Sequence, residues 1–391
     1  MKIIIVCFTY SPNFSYMENQ LAKALQMLGH DVKIIASTES YVKDKLTNFD
    51  SGNYVYDNLS VERIPFDWNG SYFAHKLWKM KGLLKALEDY RPDIIYHMNI
   101  CGIETKSSVD YARINSKTTL FFDNHAASYN SGRNWVSKYF RYQLILGRYA
   151  RNAAKKSMKV FYIGNGEKSF LEENFKLPTN KLELFPLGDF ILSDSEYEEH
   201  RERIRAQNSV SRSSQVICHT GKLNKSKYTI EIIEAFLSIS CKTSQLWIIG
   251  GLDTDIHDEV MRLIKNNSDR IKYFGWRNSS QLSEILCACD IYVQLSVSST
   301  FLTALCRKCV GISINPNATY KYIPKGIFYQ IDDTFDLKKT INKLLEDPVQ
   351  ISNQRQESFN YAKDNLNYVA LVDRLILQPH INHITKRSRA K

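Results

Sequence analysis

The sequence predicts an α/β protein made of two Rossmann-like, doubly wound domains. Short β-branched runs alternate with helical patterns along the chain, the mark of parallel strands wrapped by helices. The alternation pauses once, over residues 189–214, and then restarts. The length of 391 residues, 43% hydrophobic and 24% charged, exceeds one ordinary domain and has globular composition.

The elements follow in order. Residues 2–8 (KIIIVCF) form a buried first strand, and residues 17–28 form a helix with Leu21, Leu25 and Leu28 on one face. Gly29 caps that helix, and residues 32–36 (VKIIA) are the second strand. A helix is expected over 78–87, then strands over 93–97 (DIIYH), 118–122 (TTLFF), 159–163 (KVFYI) and 181–185 (KLELF). Residues 189–214 are charged, then serine-rich, and read as a connection between domains. Beyond them, strands over 216–219, 245–249, 272–274 and 290–294 alternate with helices over 229–239, 256–265 and 280–287 and one around Thr303. Helices over 337–345 and from 353 onward close the chain. This gives a first domain over 1–190, a linker over 191–214, a second domain over 215–352, and a helical segment with a basic tail over 353–391. A cleft is expected between the domains, with functional residues in loops that follow strands.

Composition excludes several classes. There is no apolar run near the ~18 residues that span a bilayer, and the apolar stretch from Ile3 to Phe8 is too short for a signal-peptide core. A cytoplasmic protein is expected, with its eight cysteines as thiols. The formal net charge of +11 is local. Arg133, Lys138, Arg141, Arg148, Arg151, Lys155, Lys156 and Lys159 fall in a stretch without an acidic residue, and Lys386, Arg387, Arg389 and Lys391 form the tail. A local basic surface suits an anionic partner.

No G-x-G-x-x-G or G-x-x-x-x-G-K-[ST] pattern occurs, so neither a nicotinamide or flavin site nor a P-loop is expected. His125 follows a strand among Asp123, Asn124, Ser128, Asn130 and Ser131, a polar cluster able to bind a sugar or phosphate oxygen; the competing reading is a helix cap. Lys222 and Lys227 flank a loop that follows the strand ending at Gly221, where two ammonium groups near a helix start suit a diphosphate; solvated surface lysines are the alternative. Cys287, Cys289, Cys306 and Cys309 have near zinc-knuckle spacing but sit among apolar residues and are read as buried thiols. Asp253 and Asp255 are read as a turn rather than a metal pair. Lys138, Arg141, Arg148, Arg151, Lys155 and Lys159 are placed on one helical face, with Trp135, Tyr139, Phe140, Tyr142 and Tyr149 interleaved as in interfacial helices, or as an ordinary solvated face. Nothing marks a nucleic-acid binder.

Taken together, these segments resemble glycosyltransferase family 4, whose members have the GT-B fold. MENQLAKALQMLGHDVKII resembles the family's LAxxLxxxGHEV unit, and FDNHAASYNS an aspartate-x-histidine loop of one branch. ELFPLGDF is similar to PxGxD, and TGKLNKSKYTIEIIEAF to GRLxxxKGxxxLIxAF, with Lys222 for the arginine, Lys227 for the lysine and Tyr228 for the glycine. LWIIGG, IKYFGW and ILCACDIYVQLS follow in family order, so that the resemblance spans roughly residues 1–350.

The resemblance implies a retaining, metal-independent transferase with a nucleotide-diphosphate sugar as co-substrate and no cofactor. In it residues 1–190 would be the acceptor side and residues 215–352 the nucleotide-sugar side. It implies catalytic roles for His125, Lys222 and Lys227, donor contacts from Ser15, Gly221 and Gly251, and a base beside Trp276 and Arg277. Asn124, Arg141, Arg148 and Lys155 would face an acceptor or a membrane. Lipid-linked or surface polysaccharides are the implied acceptors, handled peripherally at the inner face of the cell membrane.

One departure stands out. The family has two glutamates eight positions apart, whereas LSVSSTFLTALCRKCVG has none, with Ser299 and Thr303 near those places. A serine-containing turn then leaves Ser298, Ser299 and Thr300 to hold the diphosphate. An inactive GT-B homologue acting as a binding partner, or a sugar-nucleotide epimerase, is the alternative.

Overall fold

The computed structural model describes residues 1–391 apart from 13, 43–44, 68–76, 296, 315–320 and 390–391. Asn13 of the first loop, Ser296 of the serine turn and Lys391 of the tail therefore lie outside the described residues. The chain divides into two units, Met1–Pro186 with Tyr368–Lys391, and Leu187–Asn367.

The strands of the first unit are β1 Lys2–Val6, β2 Asp31–Ser37, β3 Glu39–Val42, β4 Lys45–Asn48, β5 Gly52–Tyr56, β6 Leu59–Ile64, β7 Ile94–His97, β8 Thr119–Asn124, β9 Lys159–Tyr162 and β10 Leu182–Leu184. Eight of them form one sheet in the order β10-β9-β8-β7-β1-β2-β6-β5, and β3 pairs with β4 separately. All pairs in the large sheet are parallel except β5 with β6. The order reverses between β1 and β7. Strands buried on both faces read as continuous apolar runs, which is why KIIIV and TLFF were visible in the sequence. The helix Met17–Met27 ends as expected at Gly29 (φ 80°). The amide of His30 bonds to the carbonyl of Leu25 (3.1 Å) and that of Gly29 to Gln26 (2.9 Å), the paired closure that a left-handed glycine permits.

In the second unit the strands are β11 Val216–Thr220, β12 Gln245–Ile249, β13 Ile271–Gly275, β14 Ile291–Gln294, β15 Val310–Ile314 and β16 Tyr329–Ile331. They run β13-β12-β11-β14-β15-β16, all parallel, which is the Rossmann order with its switch point between β11 and β14.

Several expectations are corrected. Residues 191–214 are not a linker: Asp194–Gln207 is a helix of the second unit, started by a Ser193–Glu196 capping box. Its inward face is cationic. Arg201 (2.5 Å) and Arg205 (3.2 Å) reach buried Asp290, which also accepts from Arg355 (3.3 Å) and the amide of Val216 (2.8 Å). The segment after 353 is not one piece, since the helix Pro348–Asn365 belongs to the second unit and residues 368–391 to the first. There Thr119 Oγ1 meets His380 Nδ1 at 2.7 Å. No helix covers 78–82; Trp78 is left-handed (φ 51°), Met80 bridges Phe66, and the helix starts only at Leu83 after left-handed Gly82.

The basic stretch is not one α-helical face either. Ser137–Leu146 winds as a π-helix, Gly147–Lys156 as an α-helix, and Lys159 lies in β9. The wider winding breaks the 3.6-residue spacing on which the single face depended.

Candidate active site

In the first unit, β8 carries Asp123, Asn124 and the loop that starts at His125. Asp123 is fully buried and accepts from the amide of Asn99 (2.5 Å), a left-handed residue after β7, and from His125 Nε2 (3.3 Å). The His125 side chain keeps 34% of its exposure. Burial opposes its charge, but Asp123, Glu18 and Glu167 outweigh it and raise the imidazole above its ordinary value.

Glu18 opens the helix after β1. Burial pushes its carboxyl up to about 7, with its own amide and His125 pulling the other way and Asp123 adding to the rise. The sequence reading missed Glu18; its place in the first turn after a central strand was the available signal. Asn124 was expected to face an acceptor. Instead it is fully buried, donating to the carbonyls of Ala126 (2.8 Å) and Glu167 (3.0 Å), so it holds the loop in place. Ser15 is exposed between Phe14 and Tyr16, whose rings stack at 5.1 Å.

The cationic residues of the following helices separate. Arg141 lies 4.9 Å from the Tyr142 ring, and Arg148 is exposed. Lys155 sits in the last helical turn before β9, hence at the amino end of the sheet, away from His125. The aromatic residues divide too: Tyr142 is buried, whereas Trp135 (65%), Tyr139 (45%) and Phe140 (51%) are exposed alongside Val136, Leu144 and Ile145.

In the second unit, the loops after β11 and β14 meet at the switch point. Gly221 (φ 137°) ends β11 with its amide on the carbonyl of Ile249 (3.1 Å). Gly250 packs so tightly there that a Cβ would stand 1.9 Å from the Gly221 oxygen. The obligatory glycine is thus Gly250; Gly251 is exposed in open space, its carbonyl accepting from Leu223 (2.9 Å).

Lys222 is exposed and Lys227 half-buried. Buried His219 bonds the carbonyl of Val293 (2.9 Å) and Thr229 Oγ1 (3.2 Å), and burial, helped by the Lys227 charge, lowers it to about 4. Lys227 ends the short 3-10 turn Lys225–Lys227, between β11 and the helix Thr229–Leu237. Tyr228 takes a left-handed conformation (φ 54°, ψ 34°) at the start of the helix Thr229–Leu237, the backbone that glycine would adopt freely.

After β14, Ser298 Oγ donates to Gln294 Oε1 (2.7 Å) and accepts the amide of Phe301 (3.2 Å), capping the helix Ser299–Cys306. Its hydroxyl is thereby occupied within the protein, while exposed Ser299 and half-buried Thr300 occupy the first helical turn, whose amides have no intrahelical acceptor. Gln294, also missed in the sequence, further accepts from Tyr292 OH (3.2 Å), which meets Thr220 Oγ1 (2.6 Å). Trp276 (66% exposed) and Arg277 follow β13, at the same end of this sheet but on its edge.

The four clustered cysteines are buried thiols; Cys287, Cys289 and Cys309 donate to the carbonyls of Ser283, Ile285 and Leu286. Asp253 serves its turn, accepting the amide of Thr254 (2.8 Å), whereas Asp255 accepts the amide of Lys225 (3.2 Å) from the segment that follows β11. Among the described residues no three His, Cys, Asp or Glu side chains gather as a metal site.

No family model and no curated protein matches the chain. Solved structures do. It is similar to a glycosyltransferase from Rickettsia africae (TM-score 0.65, 17% identity, covering 96% of this chain and 97% of that one). It is similar to HepE of Anabaena in complex with UDP (TM-score 0.64, 13% identity, 97% and 99%). A third likeness is WaaG, a glycosyltransferase of lipopolysaccharide biosynthesis (TM-score 0.59, 14% identity, 96% and 99%). The chain has the α/β fold of these glycosyltransferases, the GT-B fold with two Rossmann-like domains.

Proposed function

We propose that the protein is a retaining glycosyltransferase that moves a sugar from a nucleotide-diphosphate donor to a hydroxyl of a lipid-linked or surface-polysaccharide acceptor. The observation that carries this reading is the second unit's switch point, where Lys222 and Lys227 lie on the segment that follows β11 and Ser299 and Thr300 open the helix that follows β14. Positive charge and free amides beside a strand's carboxyl end suit a diphosphate. HepE, of like fold, is recorded with UDP and with UDP-glucose.

In the reaction, the bond from the anomeric carbon to the diphosphate oxygen breaks with its electron pair on the diphosphate. The acceptor oxygen bonds to that carbon on the same face, and its proton passes to the departing phosphate. Lys222 and Lys227 stabilise the charge that develops on the leaving group, a task for which no metal is proposed. Trp276 offers an open indole face to the base, and His125 hydrogen-bonds the sugar or acceptor.

The enzyme works peripherally at the inner, anionic membrane face. Supporting this, the exposed ridge Trp135, Val136, Tyr139, Phe140, Leu144 and Ile145 is apolar, and its neighbours Arg133, Lys138 and Arg141 have no acidic residue nearby in sequence. WaaG, of like fold, is described as acting in lipopolysaccharide biosynthesis. Nucleotide release from a panel of sugar nucleotides, with and without a lipid-linked acceptor, tests the reading.

A further inference from the structure

At the switch point of the second unit, the two ends of one buried side-chain amide meet different surroundings. Gln294 is the last residue of β14 and is 6% exposed. The parallel register pairs His219 with Val293, which sets Gln294 beside the end of β11, where Thr220 and Gly221 follow. The Gln294 side-chain oxygen accepts two hydroxyls, Ser298 Oγ at 2.7 Å and Tyr292 OH at 3.2 Å. Ser298 Oγ already takes the amide of Phe301 (3.2 Å), so its own hydrogen is directed to the glutamine oxygen. Tyr292 OH meets Thr220 Oγ1 (2.6 Å) within the buried layer and sends its hydrogen the same way. The amide is thus fixed with its oxygen turned toward the protein.

That leaves Nε2, with two hydrogens, on the opposite side. It donates to no acceptor among the described residues. A Cβ built on Gly221 would stand 3.9 Å from Nε2, and, chain neighbours apart, no other described heavy atom comes within 4 Å of that point. Gly221 (φ 137°) therefore leaves room beside a buried N–H donor, at the end of the sheet where ligands of such folds bind. A buried amide with unpaired donors is costly, and an anionic ligand oxygen there would relieve that cost. Lys222 follows Gly221 directly, and Ser299 and Thr300 open the helix after β14.

We propose that Gln294 is a donor-binding residue whose side-chain NH2 group hydrogen-bonds an oxygen of the nucleotide diphosphate in the space beside Gly221. Ser298 and Tyr292 are its positioning residues, because their hydroxyls hold the amide so that it presents hydrogens and not its oxygen. A donor fixed in advance stabilises anionic charge without reorganising, and it adds to the charge of Lys222. This contact rests on the transferase reading for the identity of its ligand.

The test uses the full chain. Calorimetry follows binding of UDP, ADP and GDP, and ligand-observed NMR follows the matching nucleoside. For the diphosphate that the parent binds, Gln294→Met weakens affinity roughly ten- to a hundredfold, the worth of one hydrogen bond to a charged group, while the nucleoside binds as it does to the parent. Gln294→Glu keeps an oxygen for both hydroxyls and puts negative charge where the donor was, so its loss exceeds that of Gln294→Met. In the parent, the Gln294 side-chain amide resonances, assigned by their loss in Gln294→Glu, shift on saturation with the diphosphate. Unchanged diphosphate affinity in Gln294→Glu overturns the proposal and leaves the transferase reading standing. Equal losses for diphosphate and nucleoside overturn it too, since the damage is then to the site as a whole. If the parent binds none of the three diphosphates, both the contact and the transferase reading fail.

Discussion

Asp290→Ala probes the helix that the sequence disguised as a linker. The Asp290 carboxylate is 2% exposed and anchors three guanidiniums, of which Arg205 is 7% exposed and Arg201 and Arg355 are 16% and 21% exposed. Removing one partner of a buried ion pair costs about 3–5 kcal/mol, because the remaining charge is left uncompensated. Here the arginines keep other acceptors, including the carbonyls of Cys287, Ala288, Ser211 and Lys308. The loss should therefore fall near the lower end, about 3 kcal/mol. If it is taken up by opening of the helix Asp194–Gln207, amide exchange there accelerates about a hundredfold in native-state hydrogen exchange. Asp290→Asn, which keeps the shape and one acceptor, should give a smaller acceleration. Exchange in that helix unchanged in Asp290→Ala would refute the reasoning, since the arginines would then be held by their carbonyls alone.

Tyr228→Gly removes a left-handed non-glycine residue, a conformation that costs roughly 1–2 kcal/mol, and should raise the urea midpoint of the second unit; a lowered midpoint would mean that the exposed ring contributes packing. Trp135→Ser with Phe140→Ser should abolish flotation with anionic liposomes at low salt while the far-UV spectrum is retained; unchanged flotation would exclude the apolar ridge as the membrane contact. Glu18 also sets a pH dependence. Its folded value of about 7 lies above the ordinary 4.5, so its contribution to stability is fully present below the ordinary value and is lost as pH rises through about 7. His125, raised as well, adds a loss in the same direction, beginning above the ordinary imidazole value. Glu18→Gln should therefore be more stable than the parent at pH 8 relative to pH 5, as thermal melts at the two pH values would show.

The sequence made the parallel strands legible because each is buried on both faces and reads as an unbroken apolar run, as in KIIIV and QLWII. It concealed elements whose stabilising contacts are polar or distant. The helix Asp194–Gln207 presents arginines to Asp290, more than eighty residues away, so no apolar stripe marks it. The β5–β6 hairpin turns at Asp57 and Asn58, both left-handed (φ 48° and 64°); that turn chemistry was readable but was masked by the mixed tyrosine and asparagine pattern around it.

At the site, the loops after β8 and β11 could be located because polar residues followed strands. Individual roles could not. Whether Asn124 faces substrate or binds Glu167, and whether Ser298 is free or caps a helix, depends on partners from other elements. Glu18 and Gln294 were missed for the same reason. Each gains meaning only from the neighbouring strand that the fold sets beside it.

The central claim is that the second unit's switch point holds a nucleotide diphosphate whose departure drives sugar transfer. Nucleotide release from a panel of sugar nucleotides, measured with and without a lipid-linked acceptor, tests it most directly. The account predicts acceptor-dependent release that falls about a hundredfold in Lys227→Ala, the order expected when one preorganised stabiliser of developing charge is removed. No release with any donor, together with no heat of binding for any nucleoside diphosphate, would contradict it.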